Sequence, residues 1–266
     1  MGIVLSSAYF GFYAHTGFMK AIKETGLKIG AYSGSSSGSL IAALSACETL
    51  DQITPSLLQL RRRDFWDPSV QVGRPWGLLK GRKLQGLIEQ YLPVDTFEDC
   101  TTPLVTVCTN LETGRRHVDD HGPLAPAIAS SCALPFLFQP ISRRGVRFSD
   151  GGIIDKAPIE ALIRHHKLDA LVVHIIHSKS IGKKAPSAPR RFLNWSLDQC
   201  RQSAWQSQAL LAEAMGVETY IVESEPASIG PFTMGRGQQI LQRQTIQVQD
   251  QLKQPSHLFR ASYLLS

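Results

Sequence analysis

Short apolar runs alternate with segments of helical period along most of this chain, and that alternation most narrows its fold. Ile3–Leu5 reads as a first strand and Ile29–Ser33 as a second. Between them, Phe18, Ala21 and Ile22 share one face of a helix over His15–Lys23, with Gly26 as its stop. Ser37–Ala46 predicts a small-residue helix with Leu40, Ala43, Leu44 and Cys47 on one face. Leu104–Thr109 and Val146–Ser149 read as strands of the buried kind, Leu171–His177 and Thr219–Val222 as further strands, and Pro158–His165 as a helix. Leu193, Leu197, Cys200, Ala204 and Leu211 trace a long amphipathic helix. Leu241, Thr245, Val248 and Leu252 mark a Gln-rich one. This order predicts an α/β chain whose sheet is mostly parallel and flanked by helices. There is no internal repeat and no composition break, so residues 1–266 are expected to form a single domain. The one linker-like stretch, Ser178–Pro189, follows the strand at Leu171–His177.

With 43% hydrophobic residues the chain can bury a core, which excludes a wholly disordered or fibrous protein. Apolar runs such as Ala170–Ile176 fall far short of the roughly 20 residues that span a bilayer. The apolar start Ile3–Leu5 is too brief for a secretory signal and has no basic lead-in. Met1-Gly2-Ile3-Val4-Leu5-Ser6 fits the myristoylation pattern, but a buried first strand is the more economical reading. Cys47, Cys100, Cys108, Cys132 and Cys200 are odd in number and include no C-x-x-C pair. They are expected to be small buried hydrophobes in a reducing, cytoplasmic setting, not a disulfide framework or a metal site.

Gly34-Ser35-Ser36-Ser37-Gly38 stands where a strand gives way to a helix, the context a nucleophile elbow requires. A sharp turn there lifts a serine hydroxyl off the sheet edge. Glycines on either side remove Cβ atoms that would clash. The helix behind it aims free N–H groups at a developing oxyanion, with Ser37 N–H as the first donor. A phosphate-binding loop would need a G-K-[ST] ending, which is absent. A nucleophilic Ser36 needs a base. Phe148-Ser149-Asp150-Gly151-Gly152 offers an aspartate at a strand end, followed by glycines that admit close backbone. Asp150 as direct base is one arrangement. A Ser36–Asp150–histidine triad with His174 or His177 is the other, although His174 lies within a strand, where a satisfied core histidine is commoner.

Leu5-Ser6, His15-Thr16-Gly17-Phe18-Met19-Lys20-Ala21-Ile22 and Ser33-Gly34-Ser35-Ser36-Ser37-Gly38 resemble the opening of patatin-like phospholipases. Pro103-Leu104-Val105 to Thr113-Gly114, Ser131-Cys132-Ala133-Leu134-Pro135, Asp150-Gly151-Gly152-Ile153-Ile154-Asp155 and Pro158-Ile159-Glu160-Ala161-Leu162 resemble later blocks of that family, in order. The resemblance covers roughly residues 3–177. It implies a three-layer α/β/α sandwich and a Ser–Asp dyad of Ser36 and Asp150. It also implies hydrolysis of lipid acyl esters through an acyl-enzyme, with no metal or organic cofactor. The motif glycines are Gly34, Gly38, Gly151 and Gly152.

The chain departs from the family where a glycine-rich loop, roughly G-G-G-x-[RK]-G, is expected to form the oxyanion hole. Ser7-Ala8-Tyr9-Phe10-Gly11-Phe12 keeps one glycine and no basic residue. Positive φ costs a non-glycine residue roughly 1 kcal/mol, so a different loop shape is expected, with Ala8 and Tyr9 N–H groups joining Ser37 N–H. Lys156 follows Asp155 where the family often has Asn. Tyr9, Phe10, Phe12 and Tyr13 place four of the 21 aromatics within five residues. They read either as an apolar lip for an acyl chain or as packing under the first helix. His15 reads as a packing or capping residue.

The formal net charge of +6 is uneven: residues 61–83 and 178–191 each carry +5 by count, which leaves −4 for the rest. Lys179, Lys183, Lys184, Arg190 and Arg191 are expected to rim the active site, facing an anionic membrane surface or a headgroup. Trp66 and Trp76 accompany the other patch, as interfacial anchors would. No nucleic-acid-binding motif is present. The leading expectation is a peripheral, patatin-like serine acyl-hydrolase acting on lipid esters. The alternatives are an acyltransferase using the same dyad and a non-catalytic lipid-binding protein.

Overall fold

The computed structural model describes residues 1–68, 77–177, 188–227, 229–253 and 259–262. Strand β1 (Gly2–Leu5) leads into helix α1 (Phe12–Glu24), and β2 (Ala31–Ser35) into α2 (Ser37–Ala46). Helices α3 (Leu50–Gln59) and α4 (Arg62–Phe65), strand β3 (Gly77–Leu79) and helix α5 (Arg82–Tyr91) follow. Next come β4 (Leu104–Asn110), β5 (Arg115–Asp119), α6 (Leu124–Ser131), β6 (Phe136–Phe138), β7 (Ile141–Arg143) and β8 (Val146–Ser149). After α7 (Ile159–His165) and β9 (Ala170–Ile176) the chain forms α8 (Pro189–Ala214), β10 (Glu218–Ser224), α9 (Gly237–Lys253) and β11 (Phe259–Arg260).

Among the described residues the main sheet has nine strands in the order β11-β10-β9-β1-β2-β4-β8-β7, with β5 also paired to β4. The run β10-β9-β1-β2-β4 is parallel, and the antiparallel pairings lie outside it. Alternate side chains of the central strands enter two separate cores. Ile3, Leu5 and Val172 pack with α1, α2, α3 and α9 on one face. Val4, Val173 and Ile175 pack with α7 and α8, around Trp205, Ala209 and Ala212, on the other. Helices on both faces of a mostly parallel sheet are the expected α/β/α arrangement.

Two local features bring the layers close. Gly17 of α1 lies where a Cβ would stand 2.5 Å from the Leu241 carbonyl oxygen, so α9 seats directly on α1. Gly38 of α2 faces the backbone of Leu5, and a Cβ there would overlap the Leu5 carbonyl oxygen. Helix α2 therefore reaches the end of β1 only because residue 38 has no side chain. Gly38→Ala is expected to cost about 1–3 kcal/mol in overpacking, read as a lower urea midpoint at unchanged slope.

Some boundaries moved. Helix α1 starts at Phe12, three residues before the expected His15. Strand β2 runs from Ala31 to Ser35, so Gly34 and Ser35 are ladder residues and the turn is left to Ser36 alone. Helices α3, α5 and α6 carry no expectation above, and α3 holds Pro55 in its interior. Cys47 and Cys108 are buried as expected, but Cys100 and Cys132 are partly exposed and Cys200 is exposed, because it lies on the outer side of α8. No helix among the described residues is long and apolar enough to cross a membrane.

Candidate active site

Ser36 sits at the carboxyl end of β2, in the middle of the sheet, with φ 54° and ψ −125°. A non-glycine residue there is strained. Its neighbours fix it. Ser36 N–H donates to Ser131 Oγ (2.8 Å), whose own hydroxyl donates to the Val107 carbonyl (2.6 Å). The Ser36 carbonyl accepts from Ser39 Oγ (2.7 Å) and from the Cys132 thiol (3.2 Å). Gly34 is required on the other side of the turn, since a Cβ there would strike the Gly38 backbone.

Asp150 follows β8 and is 3% exposed. Ser36 Oγ donates to its Oδ2 at 2.6 Å, and Gly152 N–H donates to its Oδ1 at 2.8 Å. Its backbone is held as firmly: its N–H donates to the Ala133 carbonyl (3.0 Å) and its carbonyl accepts from Thr109 Oγ1 (2.8 Å). Gly151 packs where a Cβ would overlap the Val107 carbonyl, and Gly152 where one would overlap Ser7. Further on, Asp155 is clamped by Arg116 (2.8 Å) and Gln208 (2.9 Å). Burial raises the Asp150 carboxyl from 3.8 to about 6, against the opposing pull of the Ser36 hydroxyl, the Gly152 N–H and the Arg201 charge.

No described histidine bonds this carboxylate. His174 is fully buried, donates or accepts at Ser224 Oγ (2.8 Å) and His15 Nδ1 (2.9 Å), and stacks on Phe18. Burial lowers its pKa well below the usual 6.5. His15 bonds the Ser6 carbonyl (2.7 Å), so it is a packing residue and not a helix cap. His177 pairs with Glu223 at 3.0 Å.

The loop between β1 and α1 keeps a tight turn without its glycines. Phe10 carries the positive φ, at 51°, while Gly11 takes an ordinary helical φ of −71°. The left-handed residue is thus an aromatic, held by ring contacts with Tyr9 (4.8 Å), Phe12 (5.9 Å) and Phe65 (5.8 Å). Ser7 N–H donates to the Lys156 carbonyl and Gly11 N–H to the Ala8 carbonyl. The N–H groups of Ala8, Tyr9 and Phe10 donate to no described residue. Ser37 Oγ donates to the Ala8 carbonyl (2.8 Å), which ties the loop to the start of α2.

A cavity of about 210 Å³ opens beside Ser36 and Asp150, between this loop and helices α2 and α5. Much of its wall is apolar, including Leu40, Leu60, Phe65, Leu87, Ile88 and Leu137. Tyr9, Phe10 and Phe12 line it, whereas Tyr13 is buried in the core, so the aromatic cluster divides between both expected roles. Arg201 of α8 also lines it and donates to Ser7 Oγ at 2.7 Å.

Lys179, Lys183 and Lys184 lie outside the described residues, as do Trp76 and the side chain of Arg190. Arg191 is exposed near the start of α8. Trp66 is partly buried, with the Arg62 guanidinium 5.0 Å from its ring centre. Among the described residues no group of His, Cys, Asp and Glu could hold a metal ion.

The family model described as "Patatin-like phospholipase" matches residues 3–163. The chain belongs to that family. An uncharacterized NTE family protein of Mycobacterium tuberculosis is 28% identical over 186 residues, which are 69% of this chain and 51% of that protein. Lysophospholipase NTE1 of Cryptococcus neoformans is 28% identical over 205 residues, 72% of this chain and 12% of that protein. The chain thus spans about half or less of the curated relatives it matches. Among solved structures, VipD from Legionella pneumophila aligns with a TM-score of 0.43 and 14% identity over 94% of this chain and 66% of that one. The type III effector protein ExoU gives 0.44 and 15% over 97% of this chain and 54% of that one.

Arg201 and Ser131 were not singled out by motif. Ser131 stands in a block that resembles the family. Arg201 lies between the exposed Leu197 and the buried Trp205, four residues from each. The stripe expected over Leu193, Leu197, Cys200, Ala204 and Leu211 is the exposed side of α8, and its buried side is Trp205, Ala209 and Ala212.

Proposed function

We propose that this patatin-like protein hydrolyses acyl esters of lipids through a Ser36–Asp150 dyad and an acyl-enzyme. The 2.6 Å hydrogen bond from Ser36 Oγ to Asp150 Oδ2 in the wall of a largely apolar cavity carries the reading. Ser36 Oγ attacks the ester carbonyl as Asp150 accepts its proton. Asp150 returns that proton to the leaving alcohol. Water then attacks the acyl-enzyme as Asp150 takes its proton, and Asp150 returns that proton to Ser36 Oγ as the bond to the acyl group breaks and the fatty acid leaves. The Ser37 N–H at the head of α2, with the uncommitted Ala8 and Tyr9 N–H groups, serves the oxyanion. The acyl chain occupies the apolar wall of α2 and α5. Lysophospholipase NTE1 is named for cleavage of a one-chain phospholipid, which favours a single acyl chain as substrate. The test is product analysis with a lysophospholipid and with the matching diacyl lipid. Release of free fatty acid supports the reading. Acyl transfer to an added alcohol without net hydrolysis would replace it with an acyltransferase.

The enzyme is proposed to work at a membrane surface. The first half of α8 exposes Phe192, Leu193 and Leu197, at 49%, 59% and 54%, beside Arg191 and directly after the basic stretch 178–187. Apolar side chains next to clustered cations suit an anionic bilayer interface. The triple change Phe192→Ser, Leu193→Ser, Leu197→Ser is expected to weaken co-sedimentation with anionic vesicles about tenfold or more. Turnover of a water-soluble ester should stay within about twofold.

A further inference from the structure

A second cavity, of about 370 Å³, lies on the far side of the 7–10 loop from Ser36. Its position follows from the topology. From β1 the chain continues through α1 to β2 on one side, and from β9 through α8 to β10 on the other. Helix α1 packs on one face of the sheet and α8 on the opposite face. The parallel neighbours β1 and β9 therefore send their following helices to opposite faces, and a crevice opens at their carboxyl ends. That is the place where open parallel sheets hold ligands. Ser7 after β1 and Ile176 at the end of β9 line the cavity.

Its charged lining is Lys156 and Arg201 against Asp198, with His177 beside them turned to Glu223 at 3.0 Å. Lys156 is 7% exposed, and its ammonium makes no hydrogen bond or ion pair to a described residue. Burial and the nearby Arg201 charge push that amine down to about 8, with Asp198 and Glu223 pulling the other way. Arg201 Nε is buried without an acceptor among the described residues, and His177 Nδ1 is buried without a partner among them, its Nε2 being the nitrogen turned to Glu223. Arg201 pairs with Asp198 at 3.9 Å and has 32% of its side chain exposed, which leaves Lys156 as the buried cation with no anion bonded to it among the described residues. That is a costly arrangement unless an anion joins it. Arg201 and the wall 7–10 are shared with the first cavity, so the two sites meet at the loop.

We propose that this cavity binds a phosphate group, with Lys156 and Arg201 as its cationic partners. The phosphate is that of a lipid headgroup, or free inorganic phosphate. In the headgroup case, which rests on the Ser36–Asp150 reading, the acyl chain lies in the first cavity, the ester at Ser36, and the phosphate a few bonds away across the loop. Charge-assisted hydrogen bonds to the buried Lys156 ammonium and to Arg201 then favour a phosphate-bearing ester over its uncharged counterpart.

Binding to the Ser36→Ala protein tests this without turnover. The probes are 1-O-octylglycerol 3-phosphate, 1-O-octylglycerol and inorganic phosphate, measured by calorimetry below the micellar range. The ether phosphate is expected to bind about tenfold or more tightly than the ether alcohol. Adding Lys156→Met should abolish that preference and leave the alcohol within about twofold, whereas Lys156→Arg should keep most of it. Lys156-dependent binding of inorganic phosphate with no preference between the two ethers assigns the site to free phosphate. Equal affinities for all three probes, or equal weakening of both ethers by Lys156→Met, would overturn the proposal. Preference for the phosphate ether without hydrolysis of the matching ester by the unaltered enzyme overturns the hydrolase reading alone.

Discussion

Ser36→Ala is expected to lower kcat for ester hydrolysis on the order of 10⁴-fold or more, the largest effect of any single change. The reason is that acyl transfer has no substitute path once the attacking oxygen is gone, so only binding and the oxyanion donors remain to act on bulk water. The variant should fold normally. Removing the hydroxyl leaves the Ser36 backbone held by Ser131, Ser39 and Cys132, none of which uses Oγ of residue 36. It also releases a non-glycine turn from nothing, since alanine at φ 54° carries the same strain. A folded Ser36→Ala protein with turnover within tenfold of the parent would sink the dyad.

Asp150→Asn is expected to lower kcat about 10³-fold or more, because an amide cannot accept the Ser36 proton. The same residue sets the pH dependence. Only the carboxylate is a base, and burial holds its pKa at about 6. For the free enzyme, kcat/KM should rise about tenfold per pH unit below 6 and level off above it. An aspartate at its ordinary value would already be on its plateau near pH 5. A limb centred near 7 that vanishes in His177→Gln would instead point to a histidine base. Stability should run the opposite way. Below about pH 4 the carboxyl is protonated in both folded and unfolded chains, and it costs nothing. As pH rises from about 4 to 6 the unfolded chain ionises first, so the folded state loses up to about 3 kcal/mol relative to its acid form. Asp150→Asn removes that loss. Its Tm should therefore gain on the parent as pH is raised from 4 to 7, while activity is lost.

Much of the fold was legible because its signals are local. Ile3–Leu5 and Leu104–Val107 are apolar runs too short to be anything but buried strands, and the structure puts them in the centre of the parallel sheet. Ser36 and Asp150 were legible for a related reason. Each follows a strand, Ser36 with glycines two residues to either side and Asp150 with two glycines after it, and the glycines are needed because backbone or side-chain atoms of Leu5, Val107 and Ser7 come within a Cβ's reach. What escaped depends on partners distant in the chain. Helix α3 hides behind Pro55, and its place is decided by Leu50, Thr54 and Leu57 packing into the core. The shape of the 7–11 loop could not be read, because the positive φ moved from a glycine to Phe10 and is supported by Phe65, far along the sequence. The open choice between direct aspartate and histidine as base turned on tertiary contacts too. His174 is occupied by His15 and Ser224, and only the folded chain shows it. Arg201 came from a helix beyond the blocks that resemble the family, yet it touches the loop that lost its own basic residue.

The central claim is that Ser36 is the nucleophile of this site. Reaction of the intact protein with a fluorophosphonate, followed by peptide mass spectrometry, tests it most directly. One adduct on the peptide containing Ser36 is expected, lost in Ser36→Ala and strongly slowed in Asp150→Asn. No adduct on the folded protein, or an adduct on another serine that persists in Ser36→Ala, would contradict the account.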